Sequence, residues 1–174
     1  MKKIAGNAMM SKLLKISFLV LVVLVTLSCG SSDDDDPNES APQVRLRAQV
    51  GGASFRTDNT SGVLSNNGRT LVVTGVNELG ESIMLRIGNF TDDSPMIVEG
   101  TYDIDGSDLA SISYMSGGQI FTDSGDNGSF ITISILDEAQ NTLFGTFTGR
   151  VENTDSSEIE ITAGMLFNLA FTEQ

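Results

Sequence analysis

The chain has 174 residues, with 10 Lys and Arg against 23 Asp and Glu, no histidine, no tryptophan and one cysteine. A net charge of −13 repels phosphate backbones and anionic membrane surfaces, which speaks against nucleic acid as a partner. Without histidine, neither a Ser-His-Asp nor a Cys-His nucleophile system nor a histidine-bound zinc site can be built.

Lys12 and Lys15 flank the apolar run Ile16–Leu27, which ends at Ser28-Cys29-Gly30. A charged flank, a short apolar core and a small residue before the cut compose a secretory signal, and the run is too short to cross a ~30 Å hydrocarbon core. Residues 1–28 are therefore expected to be a lipoprotein signal peptide, with Cys29 as the lipidation site. A thioether-linked diacylglycerol and an N-acyl chain on Cys29 would anchor the protein as a single chain cannot. Thr26 and Leu27 depart from the usual residues before such a cysteine, so ordinary cleavage leaving a free thiol is the alternative. Loss of this segment removes Lys2, Lys3, Lys12 and Lys15, leaving six arginines against all 23 acids, a net charge of −17. It also removes any Schiff-base lysine.

Residues 29–42 carry no apolar periodicity and a dense like-charge run, and are expected to be a disordered acidic tether. Cys29 followed by Ser32, Asp33, Asp34, Asp35 and Asp36 resembles the acidic export signal of Bacteroidota surface lipoproteins. The resemblance implies an outer-membrane location facing the cell exterior, with the lipid bilayer as partner through the Cys29 acyl chains. A merely solubilising linker has the same composition.

Residues 43–174 alternate apolar and polar side chains with period two, the pattern of half-buried strands. Val44, Leu46, Ala48 and Val50 alternate with Arg45, Arg47 and Gln49 before Gly51-Gly52 turns the chain toward Phe55. Asn66-Asn67-Gly68 turns the chain into Thr70–Val76 and Asn77-Glu78-Leu79-Gly80 turns that strand into Ser82–Ile87, an expected hairpin with Ile83, Leu85 and Ile87 on one face and Met84 and Arg86 on the other. Met96–Tyr102 and Ala110–Tyr114 are the next expected strands, then Ser129–Leu136 with Ile131, Ile133 and Ile135 toward the core. Leu143, Phe147 and Val151 share a face with Gly145 and Gly149, where a missing side chain admits close approach by another strand. Ile159 and Ile161, then Met165, Phe167, Leu169 and Phe171, complete the expected core. No window of this part holds a helical apolar period over three turns, so no helix is expected beyond a single turn near Asp108. The fold class is all-β, an antiparallel β-sandwich or flattened β-barrel of about nine to ten strands.

Ala48–Phe55, Gly100-Thr101-Tyr102, Gly128–Ile133, Phe144-Gly145-Thr146-Phe147 and Ile161–Leu166 together resemble, in order and spacing, a family of small Bacteroidota lipoproteins of unknown function over about residues 43–171. The resemblance implies an antiparallel β-domain and assigns no catalytic residue.

The chemistry left to the chain rests on carboxylates, Tyr102 and Tyr114. Two carboxyl groups would suffice for a glycan hydrolase, but the nine Phe and two Tyr are mostly assignable to the core, so a non-catalytic binding or accessory module is the leading reading, ahead of a purely structural envelope component. The expected partner is then a glycan or an envelope protein, and no cofactor is implied. Asp103, Asp105 and Asp108 form an alternating acidic loop that reads first as an Asx/Gly turn and second as a Ca²⁺ site. Asp123–Gly128 resembles half of an EF-hand loop, with Ser134 where the bidentate glutamate belongs, and reads as a turn, as does Asp92-Asp93 beside Pro95. Arg45 and Arg47 face outward on one strand, able to meet a carboxylate or sugar acid, or to pair with acids on a neighbouring strand.

Overall fold

The computed structural model describes residues 43–89, 95–106, 109–125 and 128–174. The expected signal peptide, Cys29 and the tether with Ser32 and Asp33–Asp36 lie outside the described residues, as do Asp92-Asp93 and Asp108. The described residues form eleven strands, most of them from the period-two segments: β1 (Leu46–Val50), β2 (Ala53–Thr57), β3 (Thr60–Ser65), β4 (Thr70–Val76), β5 (Ser82–Ile87), β6 (Gly100–Asp103), β7 (Ala110–Ser116), β8 (Gln119–Asp123), β9 (Phe130–Asp137), β10 (Thr142–Glu152) and β11 (Glu158–Glu173). No helix occurs among the described residues. The expected turns are in place, with Gly51, Gly52, Asn66, Asn67, Gly68 and Gly80 all at positive φ.

All eleven strands belong to one sheet, ordered β2-β1-β11-β3-β4-β5-β7-β8-β10-β9-β6, and β10 also pairs with β11. That extra pairing closes the run from β11 to β10 into a ring. The two long strands make it possible by changing partner along their length. β11 pairs with β1 over residues 161–166 and with β3 over 171–173, while β10 pairs with β9 over 142–148 and with β8 at Val151 and Glu152. The result is a flattened barrel with β1-β2 and β9-β6 as flanges. Every pairing is antiparallel except β11 with β3.

The core fills the ring, with Leu46, Phe55, Leu71, Ile83, Ile112, Ile131, Leu143, Phe147, Ile161 and Leu169 nearly fully buried. Glycines let facing strands approach. A Cβ on Gly149 of β10 would lie 2.9 Å from Ile112 of β7, and one on Gly75 of β4 would lie 3.0 Å from Leu46 of β1. The buried hydroxyls are hydrogen-bonded as burial demands: Thr57 donates to the Val76 carbonyl at 2.5 Å, Thr70 donates to that of Asn89 at 2.7 Å, and Ser129 accepts from the Arg150 N–H at 3.2 Å.

The alternation breaks where bulges insert a residue. In β9, Phe144 pairs with Ile135 but Gly145 with Ile133, so the extra residue reverses the parity. Ile135, expected in the core, is 47% exposed, and Leu136 packs inward instead. Two further bulges in β11 sit at Ala163 and Asn168, whose φ angles are 51° and 45°. They turn Met165 and Phe167 outward and put Leu166 into the core, against the expected alternation. Met96–Tyr102 shortens to β6. Its first residues are held otherwise, with the Ile97 N–H donating to the Gly68 carbonyl at 2.7 Å and the Tyr102 hydroxyl to that of Val98 at 2.6 Å. β3 and β8 escape the apolar pattern. Each has a single large buried apolar residue, Leu64 and Phe121, and Gly62 fills β3's other core position.

Candidate functional site

The sequence singles out two acidic loops. Asp103 ends β6 opposite Phe130, and Asp105 follows; both are exposed, and Ile104 between them is buried and donates its N–H to the Ser129 carbonyl at 2.9 Å. Gly106 of this loop lies beside Gly125 of the second acidic loop, a proximity the sequence did not reveal: a Cβ on Gly125 would stand 3.7 Å from the Gly106 Cα. Among the described residues no group of three or more acids is arranged to hold a metal ion.

A second polar cluster surrounds Glu81. Its carboxylate accepts from Asn77 at 2.8 Å, from the Tyr114 hydroxyl at 2.8 Å and from Ser116 at 3.0 Å. The Asn77 amide and the Tyr114 hydroxyl hold its pKa below the usual carboxylate value, while burial raises that of Tyr114. A general acid needs the opposite shift at the carboxylate. Asn77 also accepts from the N–H groups of Leu79 and Glu81, so the cluster closes the turn between β4 and β5.

The outer face of β2-β1-β11-β10 carries a different arrangement. Odd residues of β1 and even residues of β2 point outward, which sets Arg47 directly opposite Arg56. Such partners have Cβ atoms roughly 4.5–5.5 Å apart, and like charges there are destabilising. Among the described residues neither forms an ion pair; Arg47 donates only to the thioether of Met165 at 3.3 Å, a weak acceptor. Asp58 and Glu78 line a neighbouring depression with Arg56 but do not pair with it.

Arg45, also expected on this face, has another task. Its guanidinium donates to the Asn168 carbonyl, and its own carbonyl accepts from the Phe167 N–H at 2.9 Å, so it clamps the β11 bulge. That bulge exposes Phe167, whose ring meets Phe144 edge-on at 5.3 Å and 84°.

Two depressions share Arg47, Arg56 and Met165. The larger, of about 450 Å³, adds Gln49, Ser54, Thr146, Thr148 and Phe130; the smaller, of about 360 Å³, adds Val44 and Phe167. The sequence pointed to Arg47, but not to its partner or to the aromatic wall. Arg56 lies on a strand of five residues with little alternation, and the alternation of the β11 sequence would place Phe167 in the core. The signal for Phe167 was Asn168, a residue that tolerates positive φ inside a strand pattern.

Fold and face together describe a closed, acidic β-domain with an arginine and aromatic patch on one sheet surface. The chain belongs to the family described as a domain of unknown function (DUF6252), whose model matches residues 43–170. No curated protein and no solved structure matches it.

Proposed function

We propose that the protein is a surface lipoprotein, held in the outer membrane by acyl chains on Cys29 and facing the exterior, whose β-domain is a non-catalytic binding module. Location rests on the apolar run ending at the only cysteine and on the aspartates that follow it. Binding rests on one observation: in a chain of 23 acids, two exposed arginines stand opposed without a carboxylate partner among the described residues, beside the exposed Phe167. A fold selected for stability alone would separate or neutralise them. The binding partner is a glycan or another envelope component.

The test fractionates cells making wild type, Cys29→Ala and a variant with Asp33–Asp36 all changed to Asn. The wild type should partition with membranes and be cut by protease added to intact cells. Cys29→Ala should become soluble, and the asparagine variant should stay membrane-bound but protected. Membrane retention of Cys29→Ala removes the lipid anchor, and unchanged cleavage of the asparagine variant removes the export signal. The binding role stands on ligand retention by the same cells: loss of captured polysaccharide or envelope protein on Phe167→Ala supports it, and equal capture by cells lacking the protein overturns it.

A further inference from the structure

We infer that the Arg47–Arg56 face recognises the carboxylate of a uronic-acid sugar, an inference that rests on the binding role proposed above and names its ligand class. A guanidinium presents parallel N–H donors in a planar fork that matches a carboxylate, and two forks on facing strands can take its two oxygens from either side. An anion there also relieves the repulsion between the arginines, which gives the site a charge preference within an otherwise acidic protein.

The surroundings fit a sugar. A ring offers hydroxyls on its rim and C–H groups on its faces. The depression supplies amide and hydroxyl groups from Gln49, Ser54 and Thr148 for the first, and Met165 with the adjoining Phe167 for the second. A volume of about 450 Å³ lies within the usual range of small-ligand clefts. A polyphosphate offers no C–H face to meet Met165 and Phe167, so the apolar part of the depression favours a sugar acid over it. A peptide would instead use the free edge of β2, the end of the sheet order, where backbone groups are available for strand addition. The depression lies on the sheet face, not on that edge.

The full-length lipidated protein in detergent micelles is titrated calorimetrically with tetrasaccharides of galacturonate, mannuronate and glucuronate, and with their neutral methyl esters. At least one acid should bind about tenfold or more tighter than its ester, because the ester loses the charge-assisted pairs. Arg47→Gln and Arg56→Gln should each weaken that acid about tenfold without lowering the melting temperature, and Arg47→Lys, charged but without the fork, should fall between. Equal affinity for acid and ester, or for wild type and both glutamine variants, overturns the carboxylate assignment. If Phe167→Ala then abolishes binding of both forms, the face still binds glycan and only the carboxylate falls. Arginine-dependent binding of a glutamate-rich peptide with no oligosaccharide binding assigns the face to a protein and overturns the sugar. If neither class binds, this inference and the binding role fall together.

Discussion

Gly164 stands opposite Phe147 in the β10–β11 ladder, the pairing that closes the ring. A Cβ there would lie 2.4 Å from the Phe147 carbonyl oxygen and 2.6 Å from two atoms of its ring. Neither neighbour can yield. The oxygen belongs to a strand held on both edges by β9 and β11, and the ring is 2% exposed. Overpacking of a core costs about 1–3 kcal/mol, and Gly→Ala in a strand returns about 0.5–1 kcal/mol of unfolded-state entropy. Since the clash includes backbone, Gly164→Ala should destabilise by about 2 kcal/mol net, or roughly 6–10 °C in melting temperature for a domain of this size. The assay is urea unfolding of the full chain for Gly164→Ala, Phe147→Leu and the double variant, with Gly80→Ala as control. Gly80 has a φ of 76° and nothing within 4 Å of a built Cβ, so it isolates the backbone cost of about 1 kcal/mol. Trimming the ring should recover about 0.5–1 kcal/mol as coupling in the cycle, leaving the carbonyl clash. A Gly164→Ala cost below that of Gly80→Ala, or an additive cycle, would refute the close approach as the origin of the effect.

The β9 bulge predicts that Ile135→Thr changes stability by no more than about 0.5 kcal/mol, whereas Ile133→Ala, two residues earlier, costs about 2–5 kcal/mol; equal costs by denaturant titration would restore simple alternation. Gly88→Ala should cost about 3 kcal/mol or more, since φ is 80° and the new Cβ would fall 1.9 Å from the Arg69 carbonyl oxygen; a variant with unchanged midpoint contradicts this. Because the Glu81 pKa is depressed, chiefly by Asn77 and then Tyr114, its stabilising effect is present above the ordinary value of 4.5 and lost as the pH falls through the folded-state value. The stability gap between wild type and Glu81→Gln should therefore be full at pH 7 and shrink in acid, and a gap that persists to about pH 2 would show that the charge is not its source.

The all-β class, the β1–β2 and β4–β5 hairpins and most of the core were legible, because alternation and Asn-Gly turns are local signals. What escaped was set by partners distant in sequence. The outward turn of Ile135 and Phe167 depends on bulges that exist only against β10. β3 is recruited as a parallel neighbour of β11 more than a hundred residues on, where a Cβ on Gly62 would meet the Ala170 carbonyl at 2.8 Å. The site divided between the two: Arg47 and its opposition to Arg56 follow from the local Gly51-Gly52 turn, whereas the exposure of Phe167 beside them depends on the distant pairing of β11.

The β1–β2 register also bears on stability. Arg45 clamps the Asn168 carbonyl, Arg150 reaches Glu158 at 3.9 Å, and Arg69 and Arg86 also have partners. Arg47 and Arg56 differ in standing directly opposed across the strands, with only the Met165 thioether as a partner for Arg47 among the described residues. Opposed like charges cost roughly 0.2–1 kcal/mol. Arg47→Gln should therefore be neutral or stabilising by up to about 1 kcal/mol, at low ionic strength most of all, because salt screens exposed charges at this separation. Arg56→Gln should give the same gain. The double variant should give no more than either alone, since one substitution already removes the repulsion. Urea unfolding at low and at high salt measures each term. If Arg47→Gln destabilises the domain, the arginine is serving the fold through its contact with Met165, and retention of the pair needs no ligand to explain it. If it stabilises while weakening ligand capture, the opposed arginines are a cost in stability that binding offsets.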